Sequence, residues 1–519
     1  MTTIQEPPIF DILKATATDL RASLENGELT SVQIVTRCLE QIEKHNRAGL
    51  GLRAVISAAP RDIVIAQAEQ LDLERANGKL RGPLHGIPII VKDAMMTSAA
   101  SGMPTTAGAV AFEDCYAKQN APAIESLLQQ GLIILAKASM TEFCGHKATC
   151  MTAGWCAING QTQSAYIKGG VREDDLFMGR STPGGSSTGS AVGVSAGFAP
   201  LSLGTDTSGS ICMPANRAGL YSIKATQGSI LMDGVFALSR DFDAIGAMAK
   251  SPHDLALIMD ALNGSMTGHS GKAGWSDVAV GFVDPTIWDA LQFQRSREGD
   301  VEKQILTGYE WAMAQIRQRG GKVAYPVELP TREKLFYKGK SVLHSVAFKQ
   351  FPSLFQDFCS GLDNPKVHSL PELIQFNKDN ASRAMPEPPT TQTAHPNQSD
   401  LLASLASTMT SADAAAATTH GRRLARAAID HALALHGVDF LLGPGDCSIC
   451  GPASLAGYPT AMVPLGVLHG DQGMGQPQGL MMLGPAGSEG TMLRFMGLWA
   501  DVVGAWEVPA LLRDEEEGV

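Results

Sequence analysis

Residues 181–226 read STPGGSSTGSAVGVSAGFAPLSLGTDTSGSICMPANRAGLYSIKAT and are the most informative stretch of this chain. Two turns rich in glycine and serine enclose a run of small apolar residues, so backbone amides and hydroxyls can come close together. Neither turn has the GxxxxGKS/T order of a phosphate-binding loop. Neither is a GxGxxG that opens a helix with an acidic residue about 20 positions later. The stretch disfavours nucleotide binding, but alone it also fits turns that merely connect packed elements.

A second segment, residues 82–93 (GPLHGIPIIVKD), supplies a chemical partner for these serines. It predicts a buried strand over Ile87–Val91 that ends in Lys92. A lysine at the end of a buried strand must reach solvent or be held by polar groups, and serine hydroxyls from the two turns would suit. Because burial lowers a lysine pKa, Lys92 can be neutral near pH 7 and act as a base for a serine nucleophile.

Short apolar runs alternate with helical segments and glycine turns from Gly82 to about Gly264, so the sequence predicts an α/β fold. We expect a central mixed, largely parallel, twisted sheet flanked by helices on both faces. A helical region over residues 1–80 should pack on this core. Residues 330–412 are less regular, and Met385–Ser399 has the composition of a long exposed loop.

Helix signals are clearest where capping residues frame an amphipathic segment. Ser31 is the predicted N-cap of a helix that runs to His45, and Ser251 with Pro252 begins a helix that ends near Gly264. The other predicted elements are helices over Asp19–Leu24, Ala123–Gln130, Val301–Arg319 and Asp413–His436, and strands over Leu132–Ala136, Val278–Val283 and Val438–Leu442.

The composition narrows the class of partner. The 519 residues carry a formal net charge of −11 without a basic cluster, which argues against nucleic acid. The sequence contains no run of about 18 apolar residues that would predict a membrane span, and its N-terminus lacks a secretory-signal pattern. We therefore expect a cytoplasmic protein. Nine cysteines are too sparse for a disulfide framework, and the single CxxC of Cys447 and Cys450 is weak evidence for a metal or redox site.

Three segments together resemble the amidase-signature family: GIPIIVKD (86–93), TPGGSSTGSA (182–191) and LGTDTSGSICMPA (203–215). Their order and spacing agree with the family pattern. The resemblance implies a single catalytic domain over residues 82–512, whose part at about 330–412 faces the substrate. It also implies hydrolysis of a carboxylic amide C–N bond in a small molecule, with carbamates or esters as further substrates and no cofactor or metal. Dimerisation is common in the family, so a homodimer is an open expectation.

Carried onto this sequence, the family pattern makes Ser210 the nucleophile that forms an acyl-enzyme, Ser186 the bridging serine and Lys92 the terminal base. Ser186 would follow a cis peptide bond, Gly185–Ser186. The oxyanion hole would be formed by the backbone N–H groups of Thr207, Ser208, Gly209 and Ser210.

Some positions depart from the family's commonest residues: Ser208 replaces a glycine, Cys212 an arginine, Ala94 an asparagine and Ala225 a proline. This pattern resembles fungal-type stand-alone amidases more than the subunits of tRNA-dependent amidotransferases. Two other functions stay open, a catalytically inactive binding protein and an ammonia-delivering amidotransferase subunit. Substrate contacts are expected from residues 140–170 and 330–412, but the sequence does not name the substrate.

Other polar residues near these motifs are interpreted as structural. A lone histidine such as His85 is more often a satisfied core residue than a catalytic one, and Cys212 has no neighbouring group to activate it. Asp206 and Asp243 are expected to fix loops by hydrogen bonds. The helical positions His420, His431 and His436 do not share the face that a metal site requires.

Overall fold

Eleven strands pair into one continuous sheet, which carries the rest of the fold. The computed structural model describes residues 10–517 apart from 150, 173–174, 176, 265–273, 286–298, 331, 387–396 and 471–474. The described strands are β1 (Val55–Ala58), β2 (Pro88–Lys92), β3 (Ile133–Ala138), β4 (Trp155–Cys156), β5 (Gly160–Gln161), β6 (Leu201–Asp206), β7 (Tyr221–Lys224), β8 (Ala244–Ala249), β9 (Ala279–Val283), β10 (Lys322–Val327), β11 (Phe440–Pro444), β12 (Thr460–Val467) and β13 (Pro477–Leu483). β4 and β5 form a separate pair, and the sheet order is β1-β3-β2-β6-β8-β7-β12-β13-β11-β9-β10.

Helices alternate with the strands along most of the chain. The described ones are α1 (Ala17–Glu25), α2 (Ser31–His45), α3 (Arg61–Ala76), α4 (Pro122–Gln129), α5 (Thr188–Ser195), α6 (Cys212–Arg217), α7 (Pro252–Asn263), α8 (Gly299–Gln318), α9 (Val342–Ser360), α10 (Leu370–Asp379), α11 (Ala381–Ala384), α12 (Ser399–Leu405), α13 (Ser411–His436), α14 (Cys450–Ala456), α15 (Glu489–Val503) and α16 (Ala510–Glu517). No helix in the described part of the chain combines the length and the apolar character needed to cross a bilayer.

The sheet is mixed, as predicted, but the expectation that it is largely parallel is wrong. Four pairs are parallel (β3–β2, β2–β6, β11–β9 and β9–β10), whereas the other six in the described sheet are antiparallel. Parallel neighbours occur where a helix crosses back over the sheet, as α4 does between β2 and β3. Central pairs such as β7–β8 and β12–β13 are consecutive strands that reverse directly. Whether two strands pair parallel or antiparallel depends on how they are connected rather than on the composition of either strand. The strand directions were therefore predicted wrongly from composition.

Both faces of the sheet are buried. In β12, Ala461 and Val463 belong to one apolar cluster and Met462 to another. The same alternation occurs in β13, where Met482 faces the first cluster and Met481 the second. Because successive side chains of a strand point to opposite faces, the two clusters lie on opposite sides of the sheet. This arrangement agrees with the predicted helical layers on both faces.

The first 80 residues contribute more than helices. Besides α1, α2 and α3, this block contains β1, which pairs antiparallel with β3 at one edge of the sheet. Asp254 at the start of α7 accepts hydrogen bonds from the backbone N–H of Ala17 at 2.7 Å and of Thr18 at 2.9 Å. The N-terminal block is therefore joined to the rest of the sheet by strand pairing and to α7 by this carboxylate.

The cap-based predictions agree with the structure to within a few residues. Helix α7 begins after Ser251, whose side chain caps it, and ends at Gly264 in a left-handed conformation. Helix α2 spans the predicted residues, but its N-cap is Thr30 rather than Ser31. The backbone N–H of Ser31 instead donates to Asp72. Most of the predicted loop Met385–Ser399 lies outside the described residues, and Ser399 is the first residue of α12.

Candidate active site

The sheet brings the predicted lysine and a predicted serine into contact. Lys92 ends β2 and Asp206 ends the neighbouring parallel strand β6, so the segments that follow these strands meet at one edge of the sheet. The Lys92 Nζ atom lies 2.8 Å from Ser186 Oγ, although the two residues are 94 positions apart. Lys92 is 0% exposed and Ser186 is 4% exposed. This lysine therefore reaches a serine hydroxyl rather than solvent.

Ser210 lies in the turn between β6 and α6 and is partly exposed. The N–H of Ser187 donates to the carbonyl oxygen of Ser210 at 3.1 Å, which holds the two serine turns against each other. The Gly185–Ser186 bond is cis, as the family pattern implied. A Cβ atom at position 185 would lie 2.6 Å from Thr141 Oγ1, so a side chain larger than that of glycine does not fit there.

The electrostatic environment of Lys92 favours the neutral amine. Burial lowers the pKa of Lys92, and the nearby thiol of Cys144 and carboxylates of Asp206 and Asp243 only oppose this effect in part. A lysine whose pKa is lowered offers a nitrogen lone pair at a lower pH than an exposed lysine does. Two hydroxyls lie 2.8 Å from Lys92 Nζ, those of Ser186 and Thr205. Of the two, Ser186 is the one that lies beside the turn of Ser210.

The turn after β6 is held from beneath by Asp206. Its carboxylate accepts hydrogen bonds from the backbone N–H of Gly209 at 2.8 Å and of Ile211 at 2.7 Å. Asp206 therefore fixes this loop, as predicted. The inclusion of Gly209 among the oxyanion-hole donors needs correction, because its N–H is already used by Asp206. Thr207, Ser208 and Ser210 remain as the candidate donors.

Asp243 supports the same turn from the neighbouring strand. It precedes β8, and its carboxylate accepts hydrogen bonds from the backbone N–H groups of Leu238 at 2.6 Å and Ser239 at 3.3 Å. Burial raises the pKa of Asp243 to about 6, and a hydrogen bond from the Thr207 side chain acts in the opposite direction. Asp243 therefore fixes a loop, as predicted, and it also contacts the turn that carries Ser210.

A cleft of about 370 Å³ opens over this turn, a size that suits a small ligand. Thr207, Ser208 and Met213 line its base. The expected segments 140–170 and 330–412 supply part of the lining, but sequence reasoning missed a third wall from α14 and the residues before it. The lining side chains of these walls are His146, Leu335, Phe336, Ser341, Val342, Leu343, His344, Ala347, Phe348, Ser448, Cys450, Pro452 and Leu455.

A buried ion pair between Arg217 and Asp446 connects three segments next to this cleft. Arg217, at the end of α6, donates to Asp446 through Nη2 at 2.9 Å and Nε at 3.1 Å. It also donates to the carbonyl oxygens of Met178 at 2.7 Å, Gly179 at 2.6 Å and Thr182 at 2.9 Å. Arg217 thus joins α6 to the segment before Ser186 and to the segment before α14. Sequence reasoning did not single it out.

We expect Arg217→Met to lower the free energy of unfolding by about 3–5 kcal/mol, because it leaves the buried Asp446 carboxylate without its cationic partner. Arg240→Met is the matched control, since Arg240 and Asp357 pair while 63% and 62% exposed and should contribute below about 1 kcal/mol. Thermal unfolding of both variants measures the difference. Equal melting temperatures for the two variants would contradict the assigned role.

The remaining candidates are structural, as predicted. The His85 ring contacts the carbonyl oxygen of Leu71 at 2.8 Å. Cys212 is buried against Thr460, and burial raises the pKa of its thiol to about 12. Burial likewise raises the pKa of Cys450 to about 11. Within the described residues, no group of three or more histidine, cysteine, aspartate or glutamate side chains could hold a metal ion.

The mixed sheet presents a buried lysine in contact with one serine, beside a turn that carries a second serine and lines a cleft. A family model described as Amidase matches residues 33–493, and the chain belongs to this amidase-signature family. It is an amide-hydrolysing enzyme.

Individual relatives and structures agree with this assignment. A Schizosaccharomyces pombe protein provisionally named an amidase is 27% identical over 93% of this chain and 84% of its own length. The structure of native peptide amidase from Stenotrophomonas maltophilia superposes with a TM-score of 0.80 and 28% identity, covering 96% of this chain and 98% of that one.

Two further relatives match over about half of this chain. A provisionally named amidase of Arthroderma benhamiae is 33% identical over 49% of this chain and 40% of its own length. A glutamyl-tRNA(Gln) amidotransferase subunit of Chloroflexus aurantiacus is 34% identical over 50% of this chain and 48% of its own length. The matched segments cover less than half the length of each of these relatives.

Proposed function

We propose that this protein is a stand-alone amidase that cleaves the C–N bond of small, uncharged carboxamides through an acyl-enzyme on Ser210. The observation that carries the proposal is the 2.8 Å contact between Lys92 Nζ and Ser186 Oγ inside a buried site. It gives a lysine of lowered pKa direct access to a hydroxyl that lies beside the Ser210 turn.

The proposed reaction begins with a proton relay. The Lys92 lone pair accepts the hydroxyl proton of Ser186 while Ser186 accepts that of Ser210, whose Oγ attacks the amide carbonyl carbon. Backbone N–H groups from the Ser210 turn stabilise the oxyanion that forms. The proton on Lys92 then returns through Ser186 to the amide nitrogen, the C–N bond breaks and the amine leaves.

Deacylation uses the same groups in a second cycle. A water molecule gives a proton to the relay and attacks the ester carbonyl of the acyl-enzyme. The returning proton reaches Ser210 Oγ as the ester C–O bond breaks, so the carboxylic acid is released and the enzyme is restored.

The chemistry of the cleft supports an uncharged substrate. Among the described residues that line it, none is aspartate, glutamate, lysine or arginine, and aromatic and aliphatic side chains form most of the surface. Burial lowers the pKa of the lining residue His146 to about 3, so its ring is neutral. A charged group that entered this cleft would lose water without gaining an ionic partner, which is unfavourable.

The same observation weighs against the amidotransferase alternative. An ammonia-delivering subunit would have to accept an amide donor such as glutamine, whose α-amino and α-carboxylate groups both carry charge near pH 7. The described lining holds no carboxylate for the α-amino group and no lysine or arginine for the α-carboxylate. An uncharged anilide or amide meets no such penalty.

We expect the purified chain, without partner subunits, to hydrolyse a neutral aryl anilide with a kcat/KM at least about 100-fold higher than for glutamine, because desolvating unpaired charges costs several kcal/mol. Release of the aniline and of ammonia measures the two reactions. An anilide with a carboxylate on its acyl part is the matched control, and it should react more slowly than its neutral counterpart. A preference for glutamine would contradict the proposed substrate class.

A further inference from the structure

Lys92 Nζ has more polar neighbours than the proton relay alone requires. Besides Ser186 Oγ at 2.8 Å, it lies 2.8 Å from Thr205 Oγ1 and 3.2 Å from the carbonyl oxygen of Thr205. Thr205 is 3% exposed. With so little access to solvent, the direction of each hydrogen bond is set by these protein groups.

The donors and acceptors at Lys92 can be assigned one by one. A neutral amine has two N–H bonds and one lone pair, and a base must direct the lone pair toward the Ser186 hydroxyl. The Thr205 carbonyl oxygen can only accept, so it takes one N–H. The second N–H must then go to Thr205 Oγ1. That hydroxyl can accept it only while its own proton points away from Lys92, and an acceptor on that other side stabilises this orientation.

Cys144 is placed to be that acceptor, in a contact in which either the thiol or the Thr205 hydroxyl can donate. Its Sγ atom lies 3.8 Å from Thr205 Oγ1, within the range of a weak hydrogen bond to sulfur. Among the described residues, the Thr205 hydroxyl contacts Lys92 and Cys144. Cys144 and the preceding Phe143 both have left-handed backbone conformations, with φ of 56° and 50°. Such conformations are unfavourable for residues other than glycine, and here they place the thiol beside the Lys92 site.

We infer that Cys144 is a positioning residue whose sulfur accepts the Thr205 hydroxyl proton and thereby keeps the Lys92 lone pair directed at Ser186. Without this acceptor, the Thr205 hydroxyl can rotate and donate to the Lys92 lone pair, in competition with Ser186. The inference rests on the proposed function, in which Lys92 is the base. Cys144 itself is not among the residues that line the substrate cleft.

The test is the pH profile of kcat/KM for Cys144→Ala with a neutral anilide. We expect the alkaline plateau to fall about five- to tenfold, because fewer molecules hold the lone pair toward Ser186, with KM almost unchanged. The acid limb should move to lower pH by about half a unit, because a hydrogen bond donated to the lone pair favours the neutral amine and because the variant also loses the thiol that raises the pKa of Lys92. The fall of the plateau together with the shift is therefore the result that the inference requires.

Two variants separate positioning from packing. Cys144→Ser retains an acceptor at this position and should recover part of the plateau and of the limb position. Cys115→Ala removes another buried thiol, one that contacts the Ala111 carbonyl oxygen instead of the site, and should leave the profile unchanged.

A Cys144→Ala profile equal to that of the unmodified enzyme would overturn the inference. A lower plateau with an unmoved limb, equally deep in the serine variant, would assign Cys144 to packing and also overturn it. Measurement of Ser210→Ala in the same assay distinguishes failure of the proposed function from failure of the Cys144 inference. If that variant is inactive, failure of the Cys144 test leaves the proposed function intact.

Discussion

Ser210→Ala reduces kcat for amide hydrolysis by about 10⁴-fold or more, the expected result if Ser210 Oγ forms the acyl-enzyme. The turn that carries Ser210 is held by Asp206 and lies at the base of the cleft, so removal of one hydroxyl should leave the fold and the cleft in place. Covalent labelling by a fluorophosphonate gives a second measurement. One adduct per chain is expected on the unmodified protein, located at Ser210 by peptide mass, and none on the variant.

The nearby Cys212 provides the matched control for this experiment. Its thiol lies two positions beyond Ser210 but is buried against Thr460, and burial raises its pKa to about 12, so it is a poor nucleophile. Cys212→Ala should therefore remain active and take up the label. Persistent hydrolysis by Ser210→Ala, or an adduct on a different residue, would remove the basis for the proposed mechanism.

The sequence was most informative where structure is determined locally. The Ser251–Pro252 start and the Gly264 end of α7 were read directly, because a side-chain cap and a left-handed glycine depend on only a few neighbouring residues. The direction of the central strands was not predicted, because β6 pairs with β8 and β7 pairs with β12 only when segments that are distant in the sequence meet. The error at Thr30 has a similar origin, since Asp72 from α3 takes the N–H of Ser31.

The site shows the same division. The motifs located Lys92 and Ser186, and the structure places their polar atoms in contact. Thr205 and Cys144 were not predicted. Their importance lies in their hydrogen bonds around Lys92, and these depend on distances between segments that are far apart in the sequence. The Gly209 amide was assigned to the oxyanion hole because the motif shows which amides are near Ser210. It does not show that Asp206 already accepts one of them.

Support for the substrate cleft comes from residues with no motif of their own. Helix α9 and the segment before α14 line the cleft, and the CxxC that was weak evidence for a metal contributes Cys450 to its wall. Cys450 Sγ lies 3.8 Å from Ser208 Oγ, at one of the positions where this chain departs from the commonest family residues. Ser208 and this wall therefore lie together, where the departure at Ser208 can alter substrate choice without affecting Lys92.

Lys92→Met should reduce kcat/KM by about 10³- to 10⁴-fold and should also remove the acid limb of its pH profile. The direction of the pH dependence follows from the lowered pKa of Lys92. Below that pKa the amine is protonated and cannot accept the Ser186 proton, so the rate of the unmodified enzyme rises with pH until the neutral amine predominates. Methionine has similar length and no titrating group, so the residual rate should be nearly independent of pH in this range.

Lys250→Met tests whether the effect is specific to the site. Lys250 is also buried with its pKa lowered, to about 8, but it follows β8 at the opposite edge of the sheet and donates to the Leu13 carbonyl oxygen. With rates normalised to the fraction of chains that a fluorophosphonate labels, this variant should keep its acid limb. If the limb instead persists in Lys92→Met near pH 6, the titrating group is Asp243, whose pKa is raised to about 6 beside Thr207. Asp243→Asn would then abolish the acid limb. That result would identify Asp243 as the base and would contradict the proposed role of Lys92.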